Sequence, residues 1–285
     1  MFFFLNIGKN ENNINHRLHD SQTIILLKTE KNFSILFLQE DSLMERSIAA
    51  FESEKNRFIT KTYAWMAFAL LISAVSAFIT AITIVTDSGT LSSFGRFLFG
   101  NGMVGFFVLA IAEIALVWWL SAAIRKISVQ AATIGFFAYS VINGITLSSI
   151  FVVYQISSIA TAFVASALMF FVMAAYGATT KKNLATMGRY LMMALIGIIT
   201  ASVLEFVLFR FFHVNTTMLD FLIAIATAVV FTGLTAYDTQ KIIKVAEHSN
   251  GNDDYQKVSI MAALELYLDF INMFLALLRL FGKRK

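Results

Sequence analysis

Seven long apolar segments fill most of the chain between residues 62 and 281. Runs of about 20 apolar residues are long enough to cross a bilayer as α-helices, whereas an outer-membrane barrel shows shorter segments that alternate with a period of two. The pattern therefore predicts an all-α polytopic membrane protein with seven transmembrane helices. The predicted spans are 62–85, 102–124, 129–152, 157–177, 189–212, 219–243 and 257–281.

The segments outside these spans differ in character. Residues 1–43 are rich in Phe, Ile, Asn and Lys without periodicity, and we interpret them as a disordered or mis-annotated extension, with Met44 as the native start. Residues 44–61 form a cytoplasmic lead, residues 62–281 the transmembrane domain, and residues 282–285 a short basic tail. The links between spans are short, which favours antiparallel neighbours in a helix bundle.

Lysine and arginine cluster in alternate loops, and this asymmetry predicts the orientation. Basic loops of multi-pass proteins face the cytoplasm, so the N-terminus is predicted to be cytoplasmic. Seven full crossings then place the basic tail outside, against the rule. Either the last segment is re-entrant, or the six earlier spans determine its orientation whatever the charge of its tail. We favour a full crossing. The clustered residues are Arg46, Lys55, Arg57, Lys61, Arg125, Lys126, Lys181, Lys182, Arg189, Lys241, Lys244 and Lys257.

The amino-acid composition limits the kinds of chemistry that the protein can perform. The chain is 58% hydrophobic and 14% charged, with a net charge of +4 and no cysteine. The absence of cysteine excludes disulfides and thiolate chemistry, and the sequence contains no HExxH, GxSxG or P-loop motif. We therefore predict no enzymatic activity, no cofactor and no fixed metal site. The positive charge belongs to basic loops rather than to nucleic-acid binding.

Two carboxylates lie inside the apolar segments that flank the last polar loop. Asp238 precedes this loop by about nine residues and Asp269 follows it by about twelve. With a rise of about 1.5 Å per residue, antiparallel packing brings both to a similar depth. A carboxylate inside a membrane span is costly and marks a candidate functional site. Two carboxylates that share a site cannot both ionise cheaply, so we expect the pair to titrate as a unit, as a proton-operated switch.

A polar stripe continues along the last span. Glu265, Asp269, Asn272 and Arg279 recur at steps of four, three and seven residues, which places them on one helix face. A polar face of this length avoids lipid and faces the bundle interior or water. The stripe therefore predicts that the last helix is central in the bundle.

Three further charged residues are candidates for the same pathway. Glu113 lies in the second span and Glu205 in the fifth; each either lines a pore or is held protonated or paired within the bundle. Arg125 ends the second span on the side that the hairpin carboxylates approach. It is either a counter-ion to them or an interfacial residue whose side chain extends to water.

Small residues at four-residue spacing predict close helix contacts. Ser140, Gly144 and Ser148 repeat in the third span, and Gly197 and Ala201 in the fifth. Such positions let neighbouring backbones approach closely in lipid, so we expect helix packing there and assign them no chemistry.

The motifs of the last hairpin resemble those of a known family. The stretches 236–243 (AYDTQKII), 246–248 (AEH) and 266–272 (LYLDFIN) are similar to the Bax inhibitor-1 family, also called the transmembrane Bax inhibitor motif family, which has bacterial and eukaryotic members. The hydropathy pattern resembles that family over residues 45–282. The sequence looks like a bacterial member.

This resemblance implies a seven-helix fold with the last helix central and a pH-sensitive calcium leak across the membrane. The resemblance matches Asp238 and Asp269 to the family's pH-sensing pair, which would contact permeating Ca²⁺ transiently. It matches Arg125 to a basic residue that latches the first aspartate in bacterial members. Acid activation is implied by the family. The residues alone leave the sign open, since either protonation of the pair or repulsion between two ionised carboxylates would open it. Eukaryotic members carry a longer lysine-rich tail than residues 283–285.

Other functions are compatible with the pattern. The chain is alternatively a non-conducting interaction partner that modulates a membrane protease or stress-response complex, or a proton-coupled transporter. An intramembrane aspartyl protease is disfavoured because Tyr237-Asp238 is followed by Thr-Gln and no GxGD motif is present. The expected partners are the lipid bilayer, Ca²⁺, protons and such a membrane protein. The residue usage indicates an AT-rich bacterial gene, so we expect the plasma (inner) membrane.

Overall fold

Helices make up the regular structure of the described chain. The computed structural model describes residues 2–84, 90–100, 104–248 and 252–285, which form nine α-helices and one isolated β-bridge. The helices are α1 (Phe2–Ile84), α2 (Ser93–Phe99), α3 (Val104–Ala123), α4 (Val129–Leu147), α5 (Ser149–Val153), α6 (Ile156–Thr179), α7 (Ala185–Phe212), α8 (Thr217–Ala246) and α9 (Asp253–Phe281).

Seven helical segments of the described chain are long and apolar enough to cross a membrane. They confirm the all-α polytopic fold with seven spans. The segments are Gln39–Ile84, Val104–Ala123, Val129–Val153, Ile156–Thr179, Ala185–Phe212, Thr217–Ala246 and Asp253–Phe281. The third span is divided at Ser148, whose hydroxyl donates to the carbonyl oxygen of Ile145 at 2.6 Å. Helix α2, capped by Ser92, was not predicted because seven residues are too short for the apolar pattern.

The chain divides into two compact units, Met1–Ser53 and Glu54–Lys285. In the first unit the described backbone, from Phe2 onward, is helical and belongs to α1. The assignment of residues 1–43 to a disordered or mis-annotated extension stays a prediction. All side chains that form the candidate site belong to the second unit.

Helix α9 occupies the centre of the second unit, as the polar stripe predicts. It contacts α4, α6 and α8. Of its most apolar 18-residue stretch, 72% of the residues are buried, the largest share among the seven spans. Leu264, Tyr267 and Met273 have no exposed surface. The last helix is therefore surrounded by protein rather than by lipid.

Small residues bring helices together at Ser140 and Gly144 of α4 but not at Gly197 of α7. The Ser73 hydroxyl of α1 donates to the carbonyl oxygen of Ser140 at 2.7 Å, and a Cβ at Gly144 would lie 2.5 Å from the carbonyl oxygen of Ser73. The predicted contact is thus confirmed for α4. At Gly197 it is wrong, since a Cβ there would meet no atom within 4 Å. Helix α7 packs mainly against α8, and Gly197 is exposed.

The basic tail is fixed to the turn between α5 and α6. The amide of Gln155 donates to the carbonyl oxygen of Lys283, and the amide of Lys285 donates to that of Val153, both at 3.0 Å. The Lys285 ammonium also donates to the carbonyl oxygen of Phe151 at 2.7 Å. This turn lies at the opposite end of the bundle from the α8–α9 loop. Helix α9 therefore runs from one end to the other, as a full crossing requires.

Candidate functional site

The two aspartates of the last hairpin meet in the interior of the bundle. Asp238 is 9% exposed on α8 and Asp269 is 4% exposed on α9, and their carboxyl groups hydrogen-bond to each other. Two carboxyl groups form such a bond only when one carries a proton. Oδ2 of Asp269 has no hydrogen-bond partner among the described residues. The hydrogen bond between the aspartates therefore requires a proton on the pair, and Oδ2 of Asp269 is a buried oxygen that the described side chains do not satisfy.

An ion pair flanks the aspartates on the side of the α8–α9 loop. The Lys241 ammonium lies 2.9 Å from Oε1 and 2.8 Å from Oε2 of Glu265. Lys241 follows Asp238 by three residues and Glu265 precedes Asp269 by four, so both lie about one helical turn from the aspartates. At this distance the charges of Lys241 and Glu265 act on both aspartates. The hairpin thus carries two polar contacts between α8 and α9, the aspartate pair and the Lys241–Glu265 ion pair, about one helical turn apart.

Arg125 lies elsewhere. It is exposed in the turn after α3, and no ion pair involving it is present in the described parts of the chain. The cation that the structure places beside Asp238 is Lys241. The predicted role of Arg125 as a latch stays a prediction. Sequence reasoning missed Lys241, although its spacing from Asp238 puts both on one face of α8.

A buried polar network crosses the bundle from α3 to α1. Glu113 accepts hydrogen bonds from Thr146 Oγ1 at 2.6 Å and from Asn143 Nδ2 at 3.3 Å. The hydroxyl of Tyr267 donates to Asn143 Oδ1 at 2.8 Å and lies 2.7 Å from the Ser73 hydroxyl. This network fixes the Glu113 carboxyl group and ties α3, α4, α9 and α1 together. The sequence did not single out Tyr267, since an aromatic residue in an apolar run resembles ordinary core.

A cavity of about 860 Å³ lies between α3, α4, α7, α8 and α9. Three sequence-predicted residues line it: Glu113, Asn272 and Arg279. Asn272 lies about one turn from Asp269 along α9, but neither Asp238 nor Asp269 is among the lining residues. The remaining walls are mainly apolar. The cavity therefore ends close to the aspartate pair without including it.

Arg279 and Glu205 lie toward the end of the bundle opposite the α8–α9 loop. Arg279 has a long contact with Asp220, with Nη1 3.8 Å from Oδ1. Glu205 accepts a hydrogen bond from Thr216 Oγ1 at 3.4 Å and is not a lining residue. The structure thus brings Glu113, Asn272 and Arg279 to one cavity and leaves Glu205 outside it.

Metal-binding geometry is limited in the described residues. Within residues 39–84, 90–100, 104–248 and 252–285, no group of three or more His, Cys, Asp or Glu side chains is arranged to hold a metal ion. The aspartate pair offers two carboxyl groups, and Glu113 offers one that faces the cavity. These oxygens suit a hard cation in passage.

The fold and the buried acidic pair define the class: an integral multi-pass α-helical membrane protein with ionisable groups at its centre. The chain belongs to the Bax inhibitor-1 family, because residues 55–285 match the family described as "Inhibitor of apoptosis-promoting Bax1". The resemblance in the last hairpin is thereby confirmed.

Several bacterial proteins are similar over most of their length. The inner membrane protein YbhL of Escherichia coli K12 is 43% identical over 230 residues, covering 80% of this chain and 92% of YbhL. An uncharacterized protein of Borreliella burgdorferi is 41% identical over 232 residues, covering 81% of this chain and 94% of its own. A protein of Rickettsia prowazekii is 36% identical over 236 residues, with coverage of 82% and 93%.

Proposed function

We propose that this chain is a pH-sensitive calcium leak channel of the bacterial inner membrane, gated by the Asp238–Asp269 pair. The observation that carries the proposal is the pairing itself: two buried carboxyl groups share a hydrogen bond beside a large cavity. Membership of the Bax inhibitor-1 family and the inner-membrane location of YbhL support it. The N-terminus is cytoplasmic in this proposal.

The pair closes the pathway when it holds one proton. Ionised Asp238 accepts a hydrogen bond from protonated Asp269 and is attracted to Lys241. Protonation of Asp238 removes its charge, so the attraction to Lys241 and the charge-assisted hydrogen bond are both lost. Helices α8 and α9 then separate more easily. Acid therefore opens the channel, in agreement with the resemblance to the family.

Calcium approaches the pair through the 860 Å³ cavity. Hard cations prefer oxygen ligands, and Glu113 and Asn272 supply side-chain oxygens on the cavity wall. The charge of Arg279 is partly offset by Asp220. Between the cavity and the opposite end of the bundle, the aspartate pair and then the Lys241–Glu265 ion pair are the two barriers.

Calcium flux into proteoliposomes between pH 5 and 8 tests the sensor. Wild-type protein is expected to conduct more at acid pH, and Asp238→Asn and Asp269→Asn to flatten the response. The matched control is Asp253→Asn, which removes an exposed carboxylate in the first turn of α9 and is expected to keep the wild-type pH profile. A pH profile of Asp238→Asn that matches wild type would contradict the sensor assignment.

The same flux assay decides between the two candidate latches. Lys241→Gln is expected to raise flux at neutral pH, since it removes the cation that faces Asp238. Arg125→Gln is expected to leave flux unchanged. The reverse result would assign the latch to Arg125. If folded protein gives no flux above empty liposomes at any pH, the chain is instead a non-conducting partner of a membrane protease or stress-response complex.

A further inference from the structure

A second cavity, of about 420 Å³, lies where α8 ends and where α7 and α9 begin. It is distinct from the 860 Å³ cavity, with which it shares no lining residue. Six polar side chains line it, all of them able to donate hydrogen bonds, and none is a carboxylate. They are Tyr237, Gln240, Lys241, Lys244, His248 and Tyr255. We refer to this cavity as the basic pocket.

The positive charge of the basic pocket is only partly compensated. Lys241 pairs with Glu265, but the polar contact of the Lys244 ammonium is with the neutral amide of Asn183, 3.3 Å away. His248 has Nδ1 3.0 Å from the carbonyl oxygen of Lys244, which leaves Nε2 for another partner. The ammonium group of Lys244 and the imidazole of His248 thus face this space without a carboxylate partner, and no carboxylate is among the described residues that line the pocket.

The walls of the basic pocket are held in place by packing and hydrogen bonds. The Gln240 amide bridges the α6–α7 loop: its Oε1 accepts from the amide of Leu184 at 2.9 Å and its Nε2 donates to the carbonyl oxygen of Lys182 at 2.8 Å. A Cβ at Gly188 would lie 2.6 Å from the Tyr237 ring, so the first turns of α7 rest directly on that ring. The walls of the pocket are therefore held by contacts within the protein, which suits a ligand site.

We propose that the basic pocket binds a negatively charged phosphate group, carried by an anionic phospholipid or free in solution. Lysine ammonium groups bind phosphate as point charges, and neighbouring hydroxyl or imidazole donors complete the recognition. Basic pockets between transmembrane helices commonly hold phospholipid head groups. Lys181 and Lys182, in the loop that Gln240 holds, add to the positive potential at this end of the bundle. The inference does not depend on ion conduction.

Thermal unfolding of the full chain in dodecyl maltoside micelles tests the proposal. A ligand that binds only the folded state raises Tm with increasing concentration, and this yields an apparent Kd. Three probes are compared: dioctanoyl phosphatidylglycerol, inorganic phosphate, and dioctanoylglycerol, which lacks phosphate. We expect the phosphatidylglycerol probe to raise Tm and dioctanoylglycerol not to do so. A rise with inorganic phosphate as well assigns the site to soluble phosphate compounds rather than to lipid alone.

Variants locate the binding to the pocket. The double variant Lys244→Gln/His248→Gln is expected to bind at least about tenfold more weakly, since it removes the ammonium group and the imidazole that would contact the phosphate. Lys244→Arg keeps the charge and retains binding, which separates loss of the site from loss of folding. Lys126→Gln, an exposed lysine in the α3–α4 turn, is the matched control and binds as wild type. The proposal is overturned if no phosphate probe raises Tm, or if the double variant binds like Lys126→Gln.

Discussion

Helices α7 and α9 have nearly the same length, 28 and 29 residues, and take opposite positions in the bundle. None of the residues in the most apolar 18-residue stretch of α7 is buried, against 72% of those in α9. Yet α9 is the helix that carries Glu265 and Asp269. Apolar residues are satisfied by lipid and polar residues are not, so the helix with a polar face along its middle occupies the centre, whereas the carboxylate of α7, Glu205, lies toward one end of that helix.

This difference shows where the stability of the bundle originates. Lipid chains are as apolar as leucine, so burial of apolar surface gives little driving force between helices in a membrane. Close packing and interhelical hydrogen bonds remain. Both are concentrated around α9, whose neighbours approach on several sides, and both are sparse around α7. Substitutions in α9 and in α7 should therefore differ most in their effect on the free energy of unfolding where they change helix packing.

The largest contrast is expected for leucine truncation. Leu264→Ala in α9 removes a side chain with no exposed surface, and the lost contacts and the cavity left behind should cost about 2 kcal/mol, the lower end of the range for water-soluble cores, because lipid is also apolar. Leu204→Ala in α7, at a position that is 53% exposed, is expected to stay within about 0.5 kcal/mol. The free energy of unfolding in mixed detergent micelles measures both. Equal losses would show that α7 contributes to the core.

Glycine substitutions sharpen the contrast at the level of the backbone. A Cβ at Gly177 of α6 would meet the backbone of Ala236 in α8, 2.9 Å from its Cα and closer to its carbonyl oxygen. Gly177→Ala should therefore cost about 1–3 kcal/mol, as overpacking does. Gly197→Ala in α7 meets open space and should be neutral or stabilising by up to about 1 kcal/mol. The same unfolding measurement applies, and destabilisation by Gly197→Ala would place a close neighbour there.

The contrast also explains which features the sequence predicts. The seven spans follow from apolar length, because the thickness of the bilayer fixes how many residues a crossing needs. The central position of α9 follows from its polar stripe, since that face avoids lipid. The meeting of Asp238 and Asp269 follows from hairpin symmetry, because similar distances from one loop bring two residues to a similar depth. Each of these inferences uses the depth or the face of a residue on its own helix, without the rotation of one helix against another.

Other features depend on how helices rotate about their axes, which local patterns do not specify. The cation beside Asp238 is Lys241 rather than Arg125, since their distances depend on how α8 faces α9 and α3. The 860 Å³ cavity needs five helices to be placed correctly. Gly197 failed as a contact for the same reason, because small residues permit close approach without selecting the neighbour that makes it.

A smaller effect is expected from the polar network at the centre. Tyr267→Phe keeps the ring and removes the hydroxyl that donates to Asn143 and lies beside Ser73. Interhelical hydrogen bonds in membrane proteins contribute about 0.6 kcal/mol on average and up to about 1.7 kcal/mol, so a loss in this range is expected. Tyr190→Phe, at a 69% exposed position of α7, is the control and should change nothing. A loss for Tyr190→Phe equal to that for Tyr267→Phe would remove the distinction between centre and periphery.

The smallest effect on stability is expected for the Lys241–Glu265 ion pair, which lies at the exposed edge of the hairpin. The Lys241 and Glu265 side chains are 44% and 31% exposed, and partly solvated ion pairs contribute about 0.2–1 kcal/mol. A double-mutant cycle with Lys241→Gln and Glu265→Gln measures their coupling, and the Lys257–Asp254 pair, also at 2.8 Å, is the reference. Because solvent ions screen such pairs, the coupling should shrink when the salt concentration rises. A coupling that is large and insensitive to salt would show that the protected interior of α8 and α9 extends past the aspartate pair to Lys241.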